Sequence, residues 1–155
     1  MTSSPLEAGG NPLLIDAPWW TCADICGKAM ARIHDDERTK MNATIYKIVP
    51  ALLWQEARRA GQFAGAPVDL ADGFIHFSTR DQVTETAARH FEGQTDLLLV
   101  AVDPNSLGDK LIYEPSRGGA LFPHLYAPLT LDAVLWEKPL PLGADGSHVF
   151  PELAP

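Results

Sequence analysis

Hydrophobic and polar positions change period several times along the chain, and each change marks an element. Thr44-Ile45-Tyr46-Lys47-Ile48-Val49 is a short β-prone run. After Pro50, which suits a first helical turn, Leu53, Ala57 and Ala60 recur at i, i+4 and i+7, and Gly61 supplies a stop, so the spacing predicts a helix. The stretch from Gly65 to Asp72 is rich in turn formers and reads as a loop that delivers the chain into Gly73-Phe74-Ile75-His76-Phe77. In that strand a side-chain period of two sends Ile75 and Phe77 to one face and Phe74, His76 and Ser78 to the other. Ser78 can cap a second helix with Asp81 at its third position; Val83, Ala87 and Phe91 make the buried stripe and Gly93 ends it.

Further on, the nearly continuous apolar run from Leu97 to Val102, bounded by Asp96 and Asp103, predicts a central strand covered on both faces. Leu111-Ile112-Tyr113-Glu114, stopped by Pro115, and Ala133-Val134-Leu135-Trp136-Glu137 read as later strands. Strands accompanied by only two strong helices predict an α+β domain and not a regular doubly wound sheet. Before Met41 the patterning is weak. Cys22, Cys26, Ala29 and Ile33 would share one helical face after Trp19-Trp20, and residues 1–40 are read as an extension, either poorly ordered or a docking helix, ahead of a single domain over 41–155.

Composition changes this picture mainly by exclusion. The 155 residues, 46% hydrophobic and 21% charged, suffice for one soluble core. A formal charge of -8 without any Lys/Arg cluster argues against duplex nucleic acid or an anionic membrane as partner. No apolar run reaches the ~18 to 20 residues that span a bilayer, and the first residues lack the basic and apolar regions of a secretory signal. Cys22 and Cys26 depart from the CxxC spacing; read as reduced thiols, they predict a cytoplasmic protein.

Candidate chemistry sits in three polar segments set among apolar residues. His76 can serve as base, donor or ligand because an unperturbed imidazole titrates near pH 6.5, and His124 lies beside Pro123 and Tyr126. Glu114 precedes Ser116-Arg117-Gly118-Gly119, where glycine amides and a guanidinium could grip an anion. The same spacing equally describes a tight loop closed by a Glu114–Arg117 ion pair. Tyr126 or Tyr113 could stack on a flat ring or simply pack in the core. His76, His124 and Glu114 could also make a two-histidine, one-carboxylate metal set, although no HxH or HExxH spacing supports it.

These residues also carry a resemblance. Ile45-Tyr46-Lys47-Ile48, Trp54 with Ala57, Asp72 to Thr79, Gln82, Thr86-Ala87, Asp103, Glu114 to Gly119 and Phe122 to Leu129 resemble, in order and spacing, the family called domain of unknown function 952, over about residues 44 to 140. The resemblance implies an ADP-ribosyltransferase-like fold, a split mixed β-sheet clasping NAD. Ile45-Tyr46-Lys47 is similar to the Tyr-His-Gly of the RNA 2'-phosphotransferase branch, and His76-Phe77-Ser78 to its His-Leu-Ser; Lys47 stands where that branch has histidine. The expectation is a nucleotide cleft, with NAD as the first candidate cofactor. Glu114, His76 and His124 are its catalytic candidates; Lys47, Tyr126, Ser116, Arg117, Gly118 and Gly119 are its binding candidates. A non-catalytic module for a small anionic metabolite is the rival expectation, and a metal-dependent hydrolase the third.

Overall fold

The structure is a computed structural model that describes residues 43–116 and 118–153. The expected N-terminal extension, with Cys22, Cys26 and the Trp pair, lies outside the described residues, as does Arg117.

The apolar run over β4 (Leu97–Val102) forms the middle of a three-stranded sheet, between β1 (Ile45–Pro50) and β8 (Val134–Leu140). Burial on both faces follows from its position: Leu99, Val100, Ala101 and Val102 have no exposed surface. On one face, Ile45, Val49, Val100 and Val102 pack with Trp54 and Ala57 of α1 (Ala51–Ala60) and with Ile75, Phe77 and Leu125. On the other, Tyr46, Ile48, Leu99 and Ala101 pack with Val83 and Ala87 of α3 (Arg80–His90). Helix α1 begins after Pro50 and ends on Gly61 at φ 80°, as the spacing predicts, but its deepest residue is Trp54, while Ala60 is exposed.

Three short segments complete the domain. β2 (Gln62–Phe63) pairs with β7 (Leu129–Thr130). The stretch read as a loop contains a helix, α2 (Pro67–Asp72), with proline in its first turn and Gly73 at φ 85° as its stop. A second three-stranded sheet has the order β3 (Ile75–His76), β6 (Leu121–Leu125), β5 (Leu111–Pro115). Tyr46 and Ser78 exchange backbone hydrogen bonds of 2.8 and 2.9 Å, an isolated bridge that joins this sheet's first segment to the edge of the other.

The α+β class is therefore observed, with several antiparallel sheets and few helices. The parallel component of the expected mixed sheet is a correction: every strand pair among the described residues is antiparallel. Side-chain alternation has the same period in both orientations, so the sequence pattern carries no mark of strand direction. The cap of α3 is a second correction. Thr79 is the N-cap, with Gln82 Oε1 accepting from its backbone N–H at 3.1 Å, while Ser78 is occupied in the bridge to Tyr46 and in a 3.0 Å bond to Thr86. Among the described residues, no helix is long and apolar enough to cross a membrane.

Candidate functional site

The second sheet assembles the site by register. Antiparallel pairing sets His76 of β3 directly opposite His124 of β6, and the two ring centroids lie 5.4 Å apart, edge to face. Phe74, one residue outside β3 on the same face as His76, stacks on His124 at 4.3 Å and contacts His76 at 4.7 Å and Tyr126 at 5.2 Å. Ile75 and Phe77 point into the core, as the period of two requires.

Each imidazole is oriented by a carboxylate on Nδ1. For His124 the partner is Glu114, across the β5–β6 hairpin, whose Oε2 accepts from His124 Nδ1 and from the Tyr126 hydroxyl, both at 2.8 Å. The hydrogen bond from His124, and then that from Tyr126, hold the Glu114 carboxyl below its ordinary range; the same carboxylate pushes the Tyr126 phenol upward. Glu114 and Tyr126 are partly exposed, whereas His124 is nearly buried.

His76 has a deeper partner that the sequence did not single out. Asp69, at the third position of α2, is 2% exposed and collects five hydrogen bonds. Its Oδ2 accepts from the Ala66 N–H at 2.7 Å; its Oδ1 accepts from the His76 N–H at 3.1 Å and from the ring Nδ1 at 2.7 Å. Both oxygens take the Lys47 ammonium, at 2.9 and 2.8 Å. Lys47 arrives there because alternation along β1 places it between Ile45 and Val49, on the face turned toward α2 and β3.

The two halves of this pair respond oppositely to the same environment. Burial alone would raise Asp69, but the bond from His76, the charge and bonds of Lys47 and the Ala66 amide together bring it down to about 2. Burial pushes the Lys47 ammonium below its ordinary range in spite of Asp69. With two oxygens on Nζ and three further N–H bonds on the carboxylate, the geometry is that of an ammonium paired with an ionised carboxylate. On the far side of the His76 ring, Asp72 Oδ2 stands 3.2 Å from Nε2.

The structure thus brings together His76, Glu114, His124 and Tyr126 from the expected set, and adds Asp69, Asp72 and Phe74. Lys47 is present but beneath them, 5% exposed, with its ammonium on Asp69. Ser116, Gly118 and Gly119 form the exposed turn of the β5–β6 hairpin. There the Ser116 N–H donates to Ala120 O and the Gly119 N–H to Ser116 O, both at 2.9 Å, and the glycines adopt φ of 94° and 83°. The turn alone accounts for those two glycines. Among the described residues, no three His, Cys, Asp or Glu side chains are arranged to hold a metal ion. Asp69 was concealed by its neighbours, since aspartate among Gly, Ala and Pro reads as a turn former; its offset of three residues from Ala66, just after Pro67, is the available signal.

Fold and site together define an α+β domain carrying two carboxylate–histidine pairs on a small antiparallel sheet. The chain belongs to the family described as Protein of unknown function (DUF952), whose model matches residues 48–137. It is similar to the crystal structure of protein CC0527 from Caulobacter crescentus, at 50% identity over 69% of this chain and 94% of that one, with a TM-score of 0.67. A double mutant of CC0527 gives 48% identity over the same shares and the same TM-score. The solution structure of CC0527 gives 52% identity over 67% of this chain and 90% of that one, with a TM-score of 0.62. No curated protein matches the chain.

Proposed function

We propose that the two-histidine cluster binds a nucleotide-like ligand, with NAD first among candidates, and cleaves its nicotinamide–ribose bond. The observation that carries this reading is the convergence of His76 and His124, each held on Nδ1 by a carboxylate, beside the partly exposed Glu114 and the rings of Phe74 and Tyr126. An ADP-ribosyltransferase-like frame is supported by the Tyr46–Ser78 bridge, which sets the Tyr46-Lys47 segment against the His76-Phe77-Ser78 segment. Those are the two stretches that resemble the transferase motifs.

In the reaction, the C–N bond breaks with its electron pair going to nicotinamide, and the sugar carbon becomes cation-like. Glu114, an ionised carboxylate, stabilises that charge. Water or an acceptor hydroxyl forms the new C–O bond and gives its proton to an imidazole Nε2. Tyr126 supplies a face for the ring.

A second reading, a binding module for a small anionic metabolite, is favoured by one observation. Lys47, at the position where the resembling branch places a ligand-holding histidine, spends its ammonium on Asp69. Calorimetry with NAD followed by a nicotinamide-release assay separates the two. Release that disappears in Glu114→Gln while NAD still binds supports the enzyme, binding without release supports the module, and failure of NAD and ADP-ribose alike to bind removes the nucleotide reading.

A further inference from the structure

We propose that Asp69 and Lys47 act together as positioning residues for His76: Asp69 holds the Nδ1–H, Lys47 balances the charge of Asp69, and Nε2 is left as the ring's working atom. The inference rests on the reading of the cluster as a ligand site and adds to it which nitrogen does the work.

The argument begins with what Asp69 can do. An ionised carboxylate only accepts hydrogen bonds, so the 2.7 Å contact to His76 Nδ1 requires the proton to be on that nitrogen. A neutral His76 therefore carries its lone pair on Nε2. The 3.1 Å bond from the His76 N–H to the same Oδ1 ties backbone and ring to one atom, which fixes the ring's rotation as well as its tautomer. Asp69 itself cannot swing away, because its Oδ2 is held by Ala66 and its two oxygens by Lys47.

Lys47 matters for a different reason. A buried carboxylate beside an imidazole ordinarily draws a second proton onto the ring, since burial makes an uncompensated charge costly. Here the ammonium already supplies the counter-charge, 6% exposed and bound to both oxygens. The titratable groups facing its ring are Asp69 and Asp72 from α2, and His124 from β6, itself bonded to Glu114. Asp72 Oδ2, 3.2 Å from Nε2, can by the same rule only accept there, so that contact belongs to the doubly protonated ring; half exposed, Asp72 can turn to solvent when Nε2 carries its lone pair.

The test is long-range proton–nitrogen NMR of the imidazoles at neutral pH, on the full chain and on Asp69→Ala and Lys47→Met. The wild type is expected to show His76 as the Nδ1–H tautomer. In Asp69→Ala no acceptor remains for Nδ1–H, while Asp72 Oδ2 still stands beside Nε2, so His76 switches to Nε2–H, and NAD affinity falls roughly tenfold, about one hydrogen bond's worth. In Lys47→Met, His76 takes over as counter-ion and carries both ring protons. A merely structural pair would lower stability in both variants without moving these signals. An Nε2–H wild type overturns the assignment, as does an Asp69→Ala protein that folds and keeps Nδ1–H. If Asp69→Ala fails to fold, the wild-type tautomer and Lys47→Met decide, and a neutral His76 in Lys47→Met overturns the role of Lys47. Should NAD not bind the wild type, the nucleotide reading fails while the tautomer result still judges this inference.

Discussion

Asp69 concentrates the site's polar bonds on one buried carboxylate, so removing its partner exposes the cost most clearly. Lys47→Met removes the buried counter-charge, which the partly exposed His76 replaces only in part, and is expected to destabilise the fold by up to about 3–5 kcal/mol, measured by urea unfolding at neutral pH. Acid should act through the same residue. The folded value of about 2 lies below the ordinary 3.8, so the contribution of Asp69 to stability is complete above that ordinary value, declines as pH falls, and is gone once pH passes below the folded value. In Asp69→Asn the slope of stability against pH should flatten across that window; an unchanged slope would contradict the assignment. Of the site, His76, Glu114, His124 and Tyr126 were legible in the sequence because such groups stand out in apolar segments. Asp69 was not, because its meaning depends on a lysine 22 residues earlier meeting it in space.

Among the elements, α2 determines where Asp69 sits, and two glycines frame it differently. Gly73, at φ 85°, has nothing within 4 Å of where a Cβ would stand, so Gly73→Ala costs only backbone strain, about 1 kcal/mol. Gly65, at φ 121°, would set a Cβ 3.0 Å from that of Asp69, so Gly65→Ala adds to the strain a crowded contact with the Asp69 methylene that must shift the side chain. Thermal unfolding should rank Gly65→Ala well below Gly73→Ala, and equal melting temperatures would contradict the packing described around Asp69. The two main helices were readable because each is long enough to show its period, and the central strand because its apolar run is unbroken from Leu97 to Val102. β2 and β7 are two residues each, too short for any period, and they exist because pairing with each other holds them; β3, equally short, was readable because the alternation continues on either side of it, from Phe74 to Ser78. Helix α2, at six residues, is likewise shorter than its own pattern needs.

On the scale of the whole molecule, two features among the described residues compete as the place for a ligand. One is the histidine cluster. The other is an open hollow of about 270 Å³ between α1 and β8, lined by Trp54, Arg58, Leu131, Trp136 and Glu137 among others. Its polar groups are already engaged, since Glu137 accepts from the Trp54 indole N–H and pairs with Arg58 at 2.9 Å. Chemistry therefore favours the cluster, where two imidazoles and a carboxylate meet a partly exposed aromatic surface. The most direct measurement is an NMR titration of the isotope-labelled chain with NAD, mapping which residues shift. The account predicts saturable changes centred on Phe74, His76, Glu114, His124 and Tyr126, with Trp54 and Trp136 unmoved. Changes confined to the Trp54–Trp136 hollow, or none at saturating nucleotide, would contradict it.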